Sequence, residues 1–242
     1  IYETSIHFQG YFAQAYFHLP KDFDYYVFCA DDLILNPLFN EGNLIEKLNC
    51  HQSGYIKYLN PIWEHSFGWH KFSESLSFPN NKNPIPTQQF LPQRDELLQI
   101  YQAHGLKYRN LGLHNFRGIY DKTVSRERVL GGIKYILKYG LKRYIHFPLI
   151  EGYSDLIVIP KENLKSFCHL CGIFAAMNLW VDTAIATSMV LACEQITQEC
   201  DHGLMGKEFW NPIDAKKAIS RAEGKIEKIS SLFSEETSYI HP

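Results

Sequence analysis

One apolar run in this sequence ends at two adjacent acidic residues. Residues 25–30 form the run YYVFCA, and Asp31 and Asp32 follow directly. A short apolar run bounded by charged and turn residues is typical of a strand buried within a sheet. The pattern therefore predicts a buried strand with two carboxylates at its C-terminal end, which is where α/β proteins bind their ligands.

The rest of the chain alternates between strand-like and helix-like patterns. Residues 155–159 form a second buried-strand run closed by Pro160, and residues 144–147 are a further candidate strand. The spacing of apolar residues predicts helices over residues 10–19, 41–50, 95–104, 126–138, from 161 onwards, 181–196 and 212–233. Strands that alternate with helices indicate an α/β domain.

Two segments lie outside this alternation. Residues 51–93 have no sustained period, so we expect a long irregular region of the kind that often carries function. The last helix, from residue 212 to about residue 233, is amphipathic. Its pattern predicts an inward face made of Ile219, Ile226, Ile229 and Leu232.

Composition narrows the class of protein. The chain has 242 residues and a net charge of −2, which is long enough for one folded domain and lacks the basic excess of a nucleic-acid binder. Its six cysteines come without a glycosylation sequon or a signal peptide, so we expect a cytoplasmic protein with reduced thiols. Because the chain opens at Ile1 and soon enters a folded pattern, we also expect N-terminal sequence to be missing.

A long apolar segment raises the question of a membrane span. Between residues 170 and 193 the sole charged residue is Asp182. An aspartate at the centre of a membrane helix costs about 2.5–3.5 kcal/mol. Two consecutive buried helices, broken near residues 178–180, explain the segment better than one span does.

Asp31 and Asp32 are the first candidate functional residues. Two adjacent carboxylates repel each other unless a positive group lies between or above them, and a divalent cation bound to a diphosphate supplies that charge. The alternative is a solvated turn in which the two aspartates cap the residues that follow.

Two further groups carry candidate site residues. Tyr153, Ser154 and Asp155 follow Gly152 in a predicted turn, and they combine a flat ring with polar groups as sugar-binding sites do. An Asx-type turn explains them equally simply.

Trp180 precedes Asp182 at the start of an apolar helix. A carboxylate among apolar neighbours suits a general base, and helix capping is the alternative explanation.

Histidines and cysteines offer weaker alternatives. Cys168, His169 and Cys171 with Cys200, Asp201 and His202 contain zinc-ligating residue types. The first three, however, lie in a predicted apolar helix, which favours buried reduced thiols. Six residues in predicted loops have the chemistry to line an acceptor or phosphate site, although each alone is more typical of a protein surface: Trp63, His65, Trp69, His70, His114 and Arg117.

The segment of residues 24–37, DYYVFCADDLILNP, resembles the aspartate-motif segment of GT-A glycosyltransferases. The resemblance implies a GT-A-like mixed sheet flanked by helices, with the amphipathic helix at its C-terminal end. It extends loosely over residues 155–196. It divides the chain into a catalytic domain over residues 1–205 and a helical extension over residues 206–242. The segment departs from the usual Asp-x-Asp because Ala30 stands where the first aspartate would be.

The resemblance also implies roles for individual residues. Asp32 would ligate Mn²⁺ or Mg²⁺, and Asp31 would contact the donor ribose or the metal. Asp182 would face the acceptor hydroxyl as the catalytic residue, with Tyr153, Ser154, Asp155 and Trp180 binding the acceptor. A late histidine completes the metal site in some GT-A families, and His202 or His241 would fill that place.

The expected reaction is transfer of a hexose from a nucleoside diphosphate, with UDP favoured, to a glycan or lipid-linked glycan in bacterial polysaccharide synthesis. A lipid-linked acceptor would bring the protein to the inner face of the cytoplasmic membrane. The sequence leaves open whether the reaction inverts or retains configuration. Two rivals stay open as well: a metal-dependent hydrolase or phosphatase that uses Asp31 and Asp32, and a non-catalytic domain that binds glycans through residues 51–93.

Overall fold

The computed structural model describes residues 8–65, 78–79, 87–116, 130, 137, 145–209 and 211–241. The fold is mixed α/β. Its helices in the described part of the chain are α1 Gln9–Ala15, α2 Leu44–Lys47, α3 Arg94–Ala103, α4 Lys161–Ala176, α5 Val181–Ala192 and α6 Pro212–Arg221. Its strands there are β1 Tyr25–Cys29, β2 Ile34–Leu35, β3 Gly54–Ile56, β4 Leu59–Pro61, β5 Ile150–Gly152, β6 Leu156–Pro160, β7 Ile196–Gln198, β8 Met205–Glu208 and β9 Thr237–His241.

The main sheet has the strand order β1-β6-β3-β7. Strand β6 pairs antiparallel with β1 on one side and with β3 on the other, and β3 pairs parallel with β7. All five residues of β6 are buried. An apolar, largely β-branched strand such as this one is stable where both faces are covered. The sequence prediction of a buried strand at residues 155–159 is therefore confirmed.

Helices α4 and α5 cover one face of the main sheet and complete its core. Phe167, Phe174 and Ile185 are fully buried there. The two helices are separated at Asn178, which has a left-handed backbone with φ of 54°. Asparagine tolerates this conformation better than most residues do, so the chain turns there instead of continuing one long helix. None of the helices in the described part of the chain has both the length and the apolar character needed to span a bilayer.

A smaller C-terminal sheet has the strand order β2-β9-β8. Asn36 joins the segment after Asp32 to β9. Its backbone N–H donates to the Ser238 carbonyl over 2.9 Å, and its side-chain amide donates to the Thr237 carbonyl over 2.7 Å. Through these bonds the last strand of the chain lies against the segment that follows β1.

A third, two-stranded sheet pairs β4 with β5. Here Gly152 allows a close approach, because a Cβ atom at this position would lie 2.6 Å from the Tyr58 carbonyl oxygen and 2.9 Å from Ala186 Cβ. Only glycine fits so near to the backbone of β4 and to α5 at once. This close approach fixes Tyr153, Ser154 and Asp155, which follow Gly152, beside the start of α5.

Several boundaries predicted from the sequence are wrong. The single C-terminal helix ends at Arg221 and gives way to a 3₁₀ segment over Ile226–Leu232, and β9 follows. Ile219, which was expected to face inward, is 62% exposed. The irregular region from residue 51 contains β3, β4 and a 3₁₀ turn at Ile62–Glu64. Residues 145–147 form no strand, since the strand in this part of the chain is β5. The helix predicted over residues 126–138 lies mostly outside the described residues.

The buried-thiol interpretation of Cys168 and Cys171 is confirmed. Both lie in α4, as predicted, and both are buried. All six cysteines are free thiols, and Cys29 and Cys200 are the two that are exposed.

Candidate functional site

The two aspartates lie at the end of β1, beside the beginning of β6. Cys29 is paired with Leu156, and the Ala30 N–H donates to the Asp155 carbonyl over 2.8 Å. A turn follows, closed by the Leu33 N–H and the Ala30 carbonyl at 3.2 Å. Asp31 and Asp32 are exposed in this turn. The antiparallel register therefore brings together two acidic segments that are more than a hundred residues apart in sequence.

The last strand adds a histidine to the same place. Ile34 of β2 is paired with Ile240 of β9, so the antiparallel register places His241 opposite Leu33, one residue from Asp32. The imidazole Nε2 of His241 lies 3.0 Å from Asp32 Oδ1, and its Nδ1 lies 3.7 Å from Asp155 Oδ2. His241 is buried whereas Asp32 is open to solvent. A buried imidazole thus stands between two carboxylates.

Burial and charge affect Asp155 in opposite directions. Burial raises the pKa of Asp155 above its usual value, and the negative charges of Asp182 and Asp32 add to the rise. The neighbouring Tyr153 hydroxyl and His241 lower it in part. The Tyr153 hydroxyl itself has a raised pKa, because it is buried and faces Asp155. Tyr153 therefore keeps its proton at neutral pH.

Asp182 forms the second half of the site. It lies in the first turn of α5, where the positive end of the helix dipole stabilises a carboxylate. Its Oδ1 accepts a hydrogen bond from the Ser154 hydroxyl and its Oδ2 accepts one from the Trp180 indole, each over 3.0 Å. The helix N-cap, Trp180, makes no side-chain capping bond. Two donors from outside the helix backbone therefore fix the orientation of this carboxylate.

The aromatic ring of Tyr153 joins the two halves. It stacks on Tyr239 of β9 with ring centroids 6.1 Å apart, and it contacts His241 edge-on at 6.2 Å. On the side of β4, Tyr58 lies 6.5 Å away. Burial and the charges of four carboxylates raise the pKa of Tyr58, and the largest charge effects come from Glu151 and Asp182. Tyr58 thus also belongs to this acidic site.

The chemistry of Asp32 and His241 fits a divalent cation shared with a phosphate ligand. Among the residues that the structure describes, no group of three or more His, Cys, Asp or Glu side chains could hold a metal ion unaided. Mg²⁺, however, is usually bound by one or two protein groups together with substrate phosphates and water. In the structure the two side chains are hydrogen-bonded to each other, with 3.0 Å between Asp32 Oδ1 and His241 Nε2, so a cation held by both would have to replace this bond.

The structure brings most of the predicted site residues together. Six of the seven have contacts or charge effects within this cluster: Asp32, Tyr153, Ser154, Asp155, Trp180 and Asp182. Asp31 lies at the same turn. Of the two late histidines, His241 and not His202 lies at Asp32, since His202 packs against Tyr55 at 5.5 Å.

The loop candidates have different surroundings. Trp63 is fully buried, and both His114 and Asn115 contact its carbonyl oxygen. His65 Nε2 lies 3.5 Å from Glu151 Oε2. Trp69, His70 and Arg117 lie outside the described residues.

Tyr58, Lys57 and Tyr239 were not predicted from the sequence, and Glu151 was noted only as part of the segment before Tyr153. Lys57 and Tyr58 stand within the otherwise apolar stretch GYIKYL, and a lysine inside such a stretch was the one available signal. Glu151 is buried, and its position follows from the pairing of β4 with β5, which the sequence does not specify.

The chain was compared with known families and proteins. No family model, no curated protein and no solved structure matches it. A functional assignment therefore rests on the geometry of this site.

Proposed function

We propose that this protein is a glycosyltransferase that moves a hexose from a nucleoside diphosphate, with UDP as the favoured nucleotide, to a hydroxyl of a glycan or lipid-linked glycan acceptor. The observation that carries the proposal is the meeting of Asp32, His241 and Asp155 at the end of β1, with the oriented carboxylate of Asp182 nearby. The resemblance of residues 24–37 to the GT-A aspartate segment supports the same assignment. We include in the proposal that the mixed α/β fold is of the GT-A type.

Asp32 and His241 are the residues that would hold Mn²⁺ or Mg²⁺ in this proposal. When bound, the cation neutralises the negative charge that develops on the leaving diphosphate. Asp32 is exposed and can approach a diphosphate from solvent, whereas buried His241 is held in place by β9. Asp31, which is exposed in the same turn, is assigned to the ribose or the metal.

Asp182 is the residue proposed to act on the acceptor. The bonds from Ser154 and Trp180 fix the orientation of its carboxylate, and a carboxylate can accept the proton of an attacking hydroxyl. In an inverting reaction Asp182 removes the proton of that hydroxyl as it attacks the sugar. In a retaining reaction the same carboxylate orients the acceptor. Tyr153, Ser154, Asp155 and Trp180 surround this position and are assigned to acceptor binding.

Isothermal titration with UDP, with and without Mn²⁺, tests the donor site. We expect Mn²⁺-dependent binding by the wild type and a loss of at least about tenfold in Asp32→Asn, because this change removes a metal-ligand charge but keeps the side-chain shape. Asp201→Asn, on the 3₁₀ turn Glu199–Asp201, is the matched control and should bind as the wild type does.

The outcomes separate the rivals. Binding of neither UDP nor GDP by the folded wild type would overturn the transferase proposal. Release of sugar from UDP-hexose at the same rate with and without acceptors would favour the hydrolase. Glycan binding that Asp32→Asn leaves unchanged, without any nucleotide binding, would favour the non-catalytic domain.

A further inference from the structure

A lysine lies behind the candidate site in a nearly closed, charged environment. Lys57 follows β3, and its side chain is 14% exposed. Its ammonium forms an ion pair with Glu208 and lies 3.9 Å from Glu199. It also donates to the Gly206 carbonyl over 3.3 Å. One positive group thus faces two carboxylates and a carbonyl, all supplied by residues 199–208.

The same ammonium lies over two aromatic rings of the site. It is 5.1 Å from the centre of the Tyr153 ring and 5.8 Å from the centre of the Tyr239 ring. Both distances are within the range of a cation–π interaction. The Tyr239 hydroxyl donates to Glu208 over 3.3 Å, and the rings of Tyr239 and Tyr153 are stacked. Lys57 therefore contacts the strand that ends in His241 and the ring that touches both His241 and Asp155.

Hydrophobic contact alone would not give this arrangement a unique register. The C-terminal sheet contains two-residue β2 and is irregular between Met205 and Lys207 of β8. All five residues of β9 are buried, so no alternation between a buried and an exposed face fixes its register. A buried ion cluster adds little net stability, but it disfavours every arrangement in which its charges are unpaired. The ammonium of Lys57 pairs with Glu208 of β8 and faces Tyr239 of β9. It therefore favours one register of β9 over the others.

We propose that Lys57 is a positioning residue, which holds β9 and Tyr153 against the main sheet so that His241 lies beside Asp32. The consequence for donor binding rests on the proposed function, whereas the placement of His241 does not. In this proposal Lys57 does not itself bind phosphate, because its charge is paired with the carboxylates of Glu208 and Glu199.

The experiment compares Lys57→Met, Lys57→Arg and Lys207→Met. Lys207 is the matched control because it is the neighbour of Glu208 on β8, yet its ammonium donates to the Leu232 carbonyl, away from the site. The imidazole signals of His241 are recorded by ¹H–¹⁵N NMR well below each unfolding midpoint and are assigned with His241→Asn. We expect Lys57→Met to shift or broaden the His241 signals, and Lys57→Arg and Lys207→Met to leave them close to the wild type. If Lys57→Met does not fold, Lys57→Met combined with Glu208→Gln replaces it.

His241 signals that are unchanged in the folded Lys57→Met protein would overturn the proposal. Equal perturbation by Lys207→Met would overturn it as well, because the effect would then be general loosening of β8. A second arm titrates UDP with Mn²⁺ and should show binding at least about tenfold weaker in Lys57→Met, as expected when a buried charge cluster is broken. A wild type that binds no nucleotide would remove the proposed function, while the NMR arm would still decide the role of Lys57.

Discussion

Asp182 and Asp155 are neighbouring carboxylates in different surroundings. Asp155 interacts with a phenol hydroxyl and an imidazole, and burial raises its pKa. Asp182 accepts hydrogen bonds from a serine hydroxyl and an indole at the positive end of a helix. Different surroundings for paired carboxylates are a common way to separate their roles. Under the proposed function, Asp182 is the group that acts on the acceptor hydroxyl, while Asp155 supports His241 as well as binding the acceptor.

Asp182→Asn should reduce hexose transfer and leave donor binding intact. The amide keeps the size of the side chain but cannot accept a proton, and general-base catalysis contributes about 10²- to 10⁴-fold. We expect turnover to fall within that range, while Mn²⁺-dependent UDP affinity stays the same. Initial-rate assays with an acceptor and titration with UDP measure the two effects. Ser154→Ala, which removes one donor to the carboxylate, should have a smaller effect, and wild-type turnover by Asp182→Asn would exclude this residue as the base.

Strand β9 matters most to the geometry of the site, because it carries His241. The side chain of Asn36 holds this strand in place. This asparagine is buried, donates to two carbonyls near the start of β9 and accepts from the Leu38 N–H over 2.9 Å. The Asn36 side chain therefore uses both its donor and its acceptor groups inside the protein. The bonds of Asn36 connect a turn visible in the sequence to a strand that the sequence did not predict.

Asn36→Ala should destabilise the protein measurably. It leaves the buried Thr237 carbonyl without this donor, which costs about 1–3 kcal/mol. Asn43→Ala is the control, because the Asn43 side chain makes two hydrogen bonds that are exposed and that water can replace. Urea denaturation of both variants gives the difference in the free energy of unfolding. A loss no larger than that of Asn43→Ala would show that the buried bonds do not hold β9 in place.

Helix α3 contributes a pH-dependent contact. His104, directly after α3, faces the carbonyls of Val190 and Cys193 at the end of α5. Burial lowers the pKa of His104 below its ordinary value, and hydrogen bonds to those carbonyls oppose part of the shift. Because the folded pKa is below the unfolded one, the unfolded chain binds the proton more readily. The stability due to neutral His104 is then complete above the unfolded pKa and is lost as pH falls through the folded one.

The contribution of His104 to the melting temperature should therefore fall as the pH is lowered from about 7 to about 5. His202 has a lowered pKa too, and the raised pKa values of Asp155 and Glu199 act in the opposite direction, so the wild-type curve alone does not isolate His104. His104→Gln, which cannot be protonated in this range, should show a smaller fall than the wild type. Thermal unfolding of both proteins at several pH values measures the difference, and parallel curves would contradict the assignment to His104.

The sequence predicted those elements whose local pattern matches their burial. The apolar run that forms β6 and the helices α3, α4 and α5 have such patterns. The run at residues 25–30 does form a strand, but its predicted burial is wrong, because β1 lies at the edge of the main sheet and Tyr26 is its one buried residue. The strands β8 and β9 were missed because their stability comes from the pairing of β8 with β9 and of β9 with β2, and from the bonds of Asn36, none of which a local sequence period reports. The tyrosines and Lys57 of the site were missed for the same reason. Their neighbours are set by strand order and register, which belong to tertiary structure.

At the scale of the whole molecule, two clusters of apolar side chains stabilise the described part of the chain. The larger one surrounds α4 and α5, and the smaller one lies between β3, β6 and β9 around Tyr55, Val158 and Tyr239. Four of the six thiols are buried in these regions, namely Cys50, Cys168, Cys171 and Cys193. Their reactivity therefore reports how the molecule as a whole opens.

Two of the six thiols should react quickly with a disulfide reagent such as DTNB. Burial raises the pKa of Cys50, Cys168 and Cys193 to about 12 and that of Cys171 well above its usual value. These four side chains have almost no reactive thiolate at pH 8 and no access to solvent. Cys29 and Cys200 are exposed, so they should react first, and more slowly than a free thiol because their pKa values are also raised.

The remaining four thiols should react at the rate of opening or unfolding, and all six should react at once in denaturant. Cys29→Ser combined with Cys200→Ser is the matched variant and should lose the fast phase alone. Cys29 lies at the end of β1, two residues before Asp31, so UDP with Mn²⁺ should slow its modification but not that of Cys200. Fast reaction of a third thiol in the native protein would show that one of the two cores is open to solvent. Equal rates for Cys29 with and without nucleotide would count against donor binding at the end of β1.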